Sequence, residues 1–209
     1  AVGVPYSAFS SWQRLASAIG RINYSYANTY LLNINMRYDG TSKLTNNRYG
    51  FFPGVSAGWN MHYEDFFANS LVSKYVTTLK PRVSWGQNGS ITPLGDYAAI
   101  PQYGNVGIYN GAPGFAAGSI TNTDLRWERA TTLNFGVDVG VLGNRFTVIA
   151  DYFIRNVYDK ISSLTIPAWT GFSSYTTNLA QLQNKGFELE VKANILRPSS
   201  GNGLSWDVS

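Results

Sequence analysis

The chain contains no cysteine, so disulfides and thiolate metal sites are excluded. It is also poor in charge. Asp, Glu, Lys and Arg make up 13% of its 209 residues, about half the share usual in soluble domains. No run of five basic residues occurs, and the net charge of +4 is too diffuse for a nucleic-acid footprint. No apolar run approaches the roughly 18 residues that a membrane helix needs. The opening AVGVPYSAFSSW has no charged region ahead of an apolar core, so it does not read as a signal peptide. A mature chain, or a fragment of one, is implied. Only one histidine is present, His62, and without a second it reads as a lumen or turn residue, not as a metal ligand. The Gly-rich GNVGIYNGAPG lacks the Lys-Ser/Thr of a phosphate loop and reads as a flexible long loop. No nucleophile–base pair stands out, so neither an enzyme nor a cofactor is implied.

What the chain has in quantity is aromatics and glycine: 14 Tyr, 11 Phe, 6 Trp and 21 Gly. Its ordering principle is alternation. In YLLNINMRYDG, residues 30–40, Tyr30, Leu32, Ile34, Met36 and Tyr38 fall on one side of an extended chain. Asn33, Asn35, Arg37 and Asp39 fall on the other, and only Leu31 breaks the pattern. The same two-faced pattern recurs at 20–26, 55–61, 79–85, 133–141, 146–154, 187–195 and 204–208. That predicts about eight strands. A single amphipathic stretch, 64–75, is the one candidate helix.

The connections alternate in length. ANT and LGN are tight turns and RPSSGNG is slightly longer, whereas long connections follow Asp39, Gln87 and Asn156. Along an up-and-down meander the long connections fall at one end and the short turns at the other, the plan of an outer-membrane β-barrel. A soluble β-sandwich shares the alternation. Two features favour the barrel: segments near ten residues, enough to span a tilted apolar band of roughly 25 Å, and aromatics gathered near segment ends. These are Tyr24, Tyr26, Tyr30, Tyr38, Trp59, Trp85, Phe146 and Trp206. The polar faces carry Arg21, Arg37, Lys80, Arg82, Asp138, Glu188 and Glu190, which suits a wet lumen. Lys185 and Lys192 read as the charge balance for Glu188 and Glu190. The apolar faces are then expected to meet membrane lipid.

Particular words narrow the reading. GRINYSYANTYLLNINMRYDGTSKLTNNRYGFFPGVSAGW, residues 20–59, resembles the barrel of the SusC/RagA family of TonB-dependent outer-membrane transporters. The shared features are Gly20 and Arg21, Asn23 and Tyr24, the Tyr-Leu-Leu of 30–32, the Arg-Tyr-Asp-Gly of 37–40 and the segment 51–59. The likeness continues at LKPRVSWGQNG (79–89), TDLRWERATTLNFGVDVGVLGNRF (123–146), DYFIRNVYDKI (151–161), IPAWTGFSSYTTN (166–178) and NKGFELEV (184–191). It implies an all-β, antiparallel up-and-down transmembrane barrel. Residues 1–209 would supply about eight of about twenty-two strands, with the N-terminal plug and TonB box not present in this segment. An open sheet of that size would leave two unpaired edges in lipid, so a longer chain is expected.

The resemblance further implies TonB-dependent import of oligosaccharides or oligopeptides, RagA-type peptide importers being members of the family. It implies a SusD-like surface lipoprotein as lid, the TonB complex acting through regions outside this segment, and the outer membrane of a Gram-negative, Bacteroidetes-like bacterium. A dimer of transporter–lipoprotein pairs is left open. A passive porin and a soluble carbohydrate-binding β-domain stand as alternatives. Candidate substrate-binding residues are the long-loop aromatics Tyr97, Tyr103, Tyr109, Trp169, Phe172 and Tyr175. Flat amphipathic rings among Gly, Ser and Asn can stack on sugars or hold peptide side chains. They can equally pack the loops on one another or on a partner protein.

Overall fold

Alternation becomes one antiparallel sheet in the computed structural model, which describes residues 11–196 and 206–208. The strands are β1 (Leu15–Tyr26), β2 (Tyr30–Thr41), β3 (Tyr49–Trp59), β4 (Val76–Ser90), β5 (Tyr103–Tyr109), β6 (Ala112–Ala117), β7 (Glu128–Val141), β8 (Phe146–Thr165), β9 (Ser174–Leu196) and β10 (Trp206–Val208). Eight of them pair in the order β1-β2-β3-β4-β7-β8-β9-β10, a meander interrupted by the separate hairpin β5–β6. The stretch 64–75 supplies a single helical turn, α1 (Asp65–Ala68), flanked by two 3-10 turns.

Residues opposite each other in a ladder share a face, so the register carries one face across the sheet. Ile22, Ile34, Val55, Trp85, Leu133, Ile154 and Lys185 form one row; Tyr24, Leu32, Ala57, Val83, Phe135, Tyr152 and Phe187 form another. The opposite face reads Asn23, Asn33, Ser56, Ser84, Asn134, Phe153 and Gly186 along one row. The two faces are therefore segregated over seven strands. On the apolar face Ile22, Leu32, Met36, Val55, Phe135, Phe187 and Leu189 stand exposed within this chain, which places that face against lipid. The apolar band covers 30–38 on β2, 133–141 on β7 and 146–154 on β8, a length that fits the roughly 9–11 residues of a membrane-crossing strand.

Tight turns form where the sequence places them. Ala27 and Asn28 take left-handed φ of 51° and 53° and the Thr29 amide donates to Tyr26 O at 2.9 Å. Leu142, Gly143 and Asn144, also left-handed, carry β7 into β8. The turn read at RPSSGNG lies outside the described residues, as do the side chains of β10 with Trp206. Two prolines sit inside strands. The β3–β4 ladder runs only from Gly54↔Gly86 to Gly58↔Arg82, and Pro53 and Pro81 stand just beyond its two ends, where a missing N–H breaks no bond of that ladder.

Three expectations are corrected. The long connection after Asn156 is not a loop: β8 runs on to Thr165 and β9 starts at Ser174, so a paired hairpin rises roughly 35 Å along the strand beyond the apolar band. A bulge between Val157 and Ile161, with Asp159 at φ 55°, releases it from the register below. GNVGIYNGAPG is not flexible loop but the hairpin β5–β6, closed by Asn110 (φ 47°) and Gly111 (φ 79°), the residues a type I′ turn requires. Lys185 lies opposite Ile154 on the outer face, so it cannot balance Glu188 and Glu190 on the inner one. Lys192 does, with Nζ 3.0 Å from Glu190 Oε1.

Val137, opposite Pro81 and Ala150 at the middle of the β7 band, tests the assignment of faces. Val137→Arg is expected to destabilise the full-length protein in bilayers by about 2–4 kcal/mol, read by denaturant unfolding; a change within error would place this face away from lipid.

Candidate functional site

The inner face is a polar wall with one dense ionic node. Arg82 on β4 reaches Asp138 on β7 at 3.0 Å and Asp151 on β8 at 2.5 Å, tying three strands together. Gly136 lies beneath it, and a Cβ there would stand 2.6 Å from Arg82 Cζ. Glycine is therefore what lets the guanidinium lie flat across the sheet. Gly186 does the same for the ring of Phe153 and Gly54 for the Asn35 amide. Asn33 Nδ2 donates to Asn23 Oδ1 on the neighbouring strand. A groove of about 550 Å³ runs along this wall, with Asn23, Asn33, Ser56, Lys80, Arg82 and Asn134 among its lining.

Above the wall, on its inner side, the long connections fold over the sheet and make a second layer. Its centre is the main buried hydrophobic cluster among the described residues: Leu44, Phe52, Ile91, Leu94, Ala99, Leu125, Trp127 and Ile161. Phe52 belongs to the inner face of β3 and packs edge-on against Trp127 at 5.6 Å, with the Arg37 guanidinium over its ring. A single sheet has no core of its own. At this mouth a second layer removes apolar surface from water.

Polar ties lock the same connections. Lys43 Nζ donates to Leu94 O at 2.8 Å and pairs with Asp96 at 3.3 Å; Thr45 Oγ1 donates to Ala99 O at 2.9 Å. Trp127 Nε1 donates to Arg48 O at 3.1 Å. From the tall hairpin, Asn178 Nδ2 donates to Arg126 O and Asp159 O, Arg129 pairs with Asp159 at 2.6 Å, and the Ile161 amide donates to Glu128 Oε1. The connections β2–β3 and β4–β7 and the β8–β9 hairpin thus form one body. The Ser11 hydroxyl, and after it Lys43, hold the Asp96 carboxyl below the ordinary carboxylate range. A carboxylate held low contributes fully above its unfolded pKa and loses that contribution only as pH falls through the lower folded value. The tie to Lys43 therefore persists through neutral and mildly acid pH.

The six aromatics read from the sequence fall into two groups. Tyr97 sits in the turn before β5, Tyr103 opens β5 opposite Ala117, and Tyr109 closes it opposite Ala112. Trp169, Phe172 and Tyr175 surround the tip of the β8–β9 hairpin, Trp169 being 85% exposed and Tyr175 half-buried opposite Leu164. The tie between the two connections is made elsewhere, by Asn122 Nδ2 on Thr176 O and by Asn178. Sequence reading missed the mouth core and the hairpin's apolar surface, where Val106, Ile108 and Phe115 are exposed. The Asn-Gly pair at 110–111 was the available signal for the hairpin. Leu44, Leu94 and Leu125 lie in aperiodic stretches that give no comparable signal for the core. His62 lies in the 3-10 turn after β3, its Nδ1 3.3 Å from Leu79 O.

Leu125 is fully buried. Leu125→Ala is expected to cost about 2–5 kcal/mol of mouth stability, whereas Leu179→Ala on exposed strand surface should stay within about 0.5 kcal/mol. Limited proteolysis across 91–127 reads the difference; equal cleavage of both variants would mean that the cluster does not hold the mouth together.

Comparison with known proteins bears on this arrangement. A family model described as TonB dependent receptor-like, beta-barrel, matches residues 4–209. The TonB-dependent receptor SusC of Bacteroides thetaiotaomicron is 33% identical over 97% of this chain and 20% of its own length. The TonB-dependent receptor P3 of Formosa agariphila is 33% identical over 100% of this chain and 21% of its own. The structure of the RagAB peptide transporter superposes with a TM-score of 0.80 at 24% identity, covering 90% of this chain and 20% of that one. The chain spans about a fifth of the length of each.

Proposed function

We propose a function from one premise: this chain belongs to the TonB-dependent receptor β-barrel family, on its SusC/RagA branch. On that premise the residues described here are wall, lumen lining and mouth of an outer-membrane importer for oligosaccharides or oligopeptides. The plug and TonB box belong to other parts of the full-length receptor, and a SusD-like lipoprotein works with it at the mouth. Receptors of this family are not enzymes. Their work is differential binding by closed and open states, with no covalent step.

The observation that carries the reading is the pairing of an apolar outer face with a polar, ion-paired inner wall that ends in a fixed mouth. A soluble carbohydrate-binding domain has no use for an apolar face extending over seven strands, and a passive porin has no use for a TonB-coupled family architecture. One structural neighbour favours a ligand class, RagAB being described as a peptide transporter. The tip aromatics Trp169, Phe172 and Tyr175, Tyr97 in the turn before β5, and Tyr103 and Tyr109 of the β5–β6 hairpin are the proposed ligand contacts. Their rings suit either ligand because neutral stacking serves sugars and peptide side chains alike.

Uptake tests the reading. Cells carrying the full-length receptor should accumulate labelled oligopeptide or oligosaccharide in a manner abolished by a protonophore and by deletion of tonB. The arm that is lost identifies the ligand. Uptake that survives both treatments would mean a passive pore. Trp169→Ala should raise the half-saturating ligand concentration several-fold if that ring stacks on ligand, a stacked ring being worth about 1 kcal/mol.

A further inference from the structure

The turn between β3 and β4 is out of scale with its end of the barrel. Its neighbours there are short, 27–29 and 142–145, whereas this one runs from 60 to 75 and contains α1. Beyond the β3–β4 ladder β4 continues through 76–81 with no β3 partner, and the turn packs beside that free edge, His62 Nδ1 lying 3.3 Å from Leu79 O and 3.4 Å from Leu79 N. The start of the turn is fastened to the outer face. Glu64 Oε1 accepts from Tyr30 Oη at 2.6 Å and from Trp59 Nε1 at 3.1 Å. Phe66 packs its ring on Trp59 at 6.2 Å, which extends a run of outer-face rings from Tyr26 through Tyr30 and Trp59.

The turn therefore has an inside and an outside. Phe67 is 7% exposed, whereas Phe66, Leu71, Val72 and Tyr75 stand exposed, Leu71 at 79%. A loop that merely reversed the chain in water would not carry four large apolar side chains outward. Its two exposed charges balance, Asp65 against Lys74. We propose that residues 60–75 form an interfacial foot that seats in the phospholipid leaflet at the short-turn end of the barrel. Phe66, Leu71, Val72 and Tyr75 enter the headgroup–acyl boundary, continuous with the lipid-facing band. The balanced charges fit a zwitterionic headgroup layer. The foot also covers the edge of β4 that lacks a β3 partner, His62 Nδ1 accepting from the Leu79 amide, because unpaired backbone groups are costly next to lipid. This rests on the lipid-facing band alone and is independent of what the receptor imports.

The test uses the full-length receptor, any other cysteine replaced, in nanodiscs of phosphatidylethanolamine with a minor share of phosphatidylglycerol. A nitroxide is placed at Leu71→Cys, with Leu189→Cys on the outer face of β9 as lipid reference and Gly95→Cys in the long connection as aqueous reference. Collision with oxygen and with a water-soluble nickel chelate is measured at each. The Leu71 label is expected to favour oxygen over nickel, as Leu189 does. Nickel access equal to that at Gly95 would overturn the foot. Protection from both reagents would also overturn it, since another protein segment would then cover the site. Val72→Cys repeats the measurement should Leu71→Cys fail to assemble.

Discussion

Backbone hydrogen bonding in a solvent that offers none is the constraint on which this structure depends. Within the apolar band backbone N–H and C=O groups must find partners inside the protein, so the ladder between β7 and β8 is long and unbroken, and where β4 runs without a β3 partner the 60–75 turn packs on its edge. An unbroken ladder fixes parity: a residue's place in the alternation decides whether it faces lipid or lumen, and a slip of one would invert a whole strand. The inner wall inherits its chemistry from that rule. Arg82, Asp138 and Asp151 come from three strands, yet each occupies an inward position, and each finds the others because the register puts Arg82 opposite Gly136 and Gly136 opposite Asp151. A salt bridge on a solvated surface would be worth little. Here the ions also fasten strands at a level where the lumen side must be polar while the other side must not.

Where the strands leave the band the constraint relaxes, and the structure changes character at that height. The bulge between Val157 and Ile161 redirects β8 so that Ile161 turns into the mouth core while its amide reaches Glu128. Water is again available to backbone groups, so loops can leave the ladder and fold inward. The hydrophobic effect, which in the band has only lipid to work against, there has water to expel and builds the cluster around Leu44 and Leu125. The mouth is held by burial and by side-chain-to-backbone bonds, the wall by ladders. Two different forces stabilise the two regions, so a substitution that loosens the mouth leaves the wall in place.

How much of this the sequence disclosed follows from which forces leave a local trace. Alternation is local, so the eight paired strands and the two faces could be read from residues such as Leu133, Phe135 and Val137 without a structure. Tight turns with left-handed residues are local too. Contacts between distant loops leave no period: Lys43 meets Leu94, and Asn47 meets Asp124, because of where β2, β4 and β7 end, not because of any spacing between them. The candidate aromatics were legible as ring-bearing loop residues, but not their division between the β8–β9 tip and the connection that carries the β5–β6 hairpin. Lys185 is near Glu188 in sequence but on the other face, because 185 and 188 have opposite parity in an unbroken strand. The Asn-Gly pair at 110–111 is a local turn signal set among glycines that read equally as a flexible loop.

Parity also bears on what must stand beside the wall. β1 and β10 stand at the two edges of an eight-stranded sheet that does not close on itself. Edges of that kind cannot face lipid, so further strands complete the wall, and the inner face borders an enclosed lumen. On its lumen side this sector presents two successive surfaces. The mouth presents exposed rings around a fixed core. Below it the inner wall pairs Arg82 with Asp138 and Asp151 and Lys192 with Glu190, while Arg21, Lys80 and Glu188 stand on the same face outside those ion pairs. The loops at the mouth stand in water, which allows them to vary, whereas lipid fixes the parity of the wall.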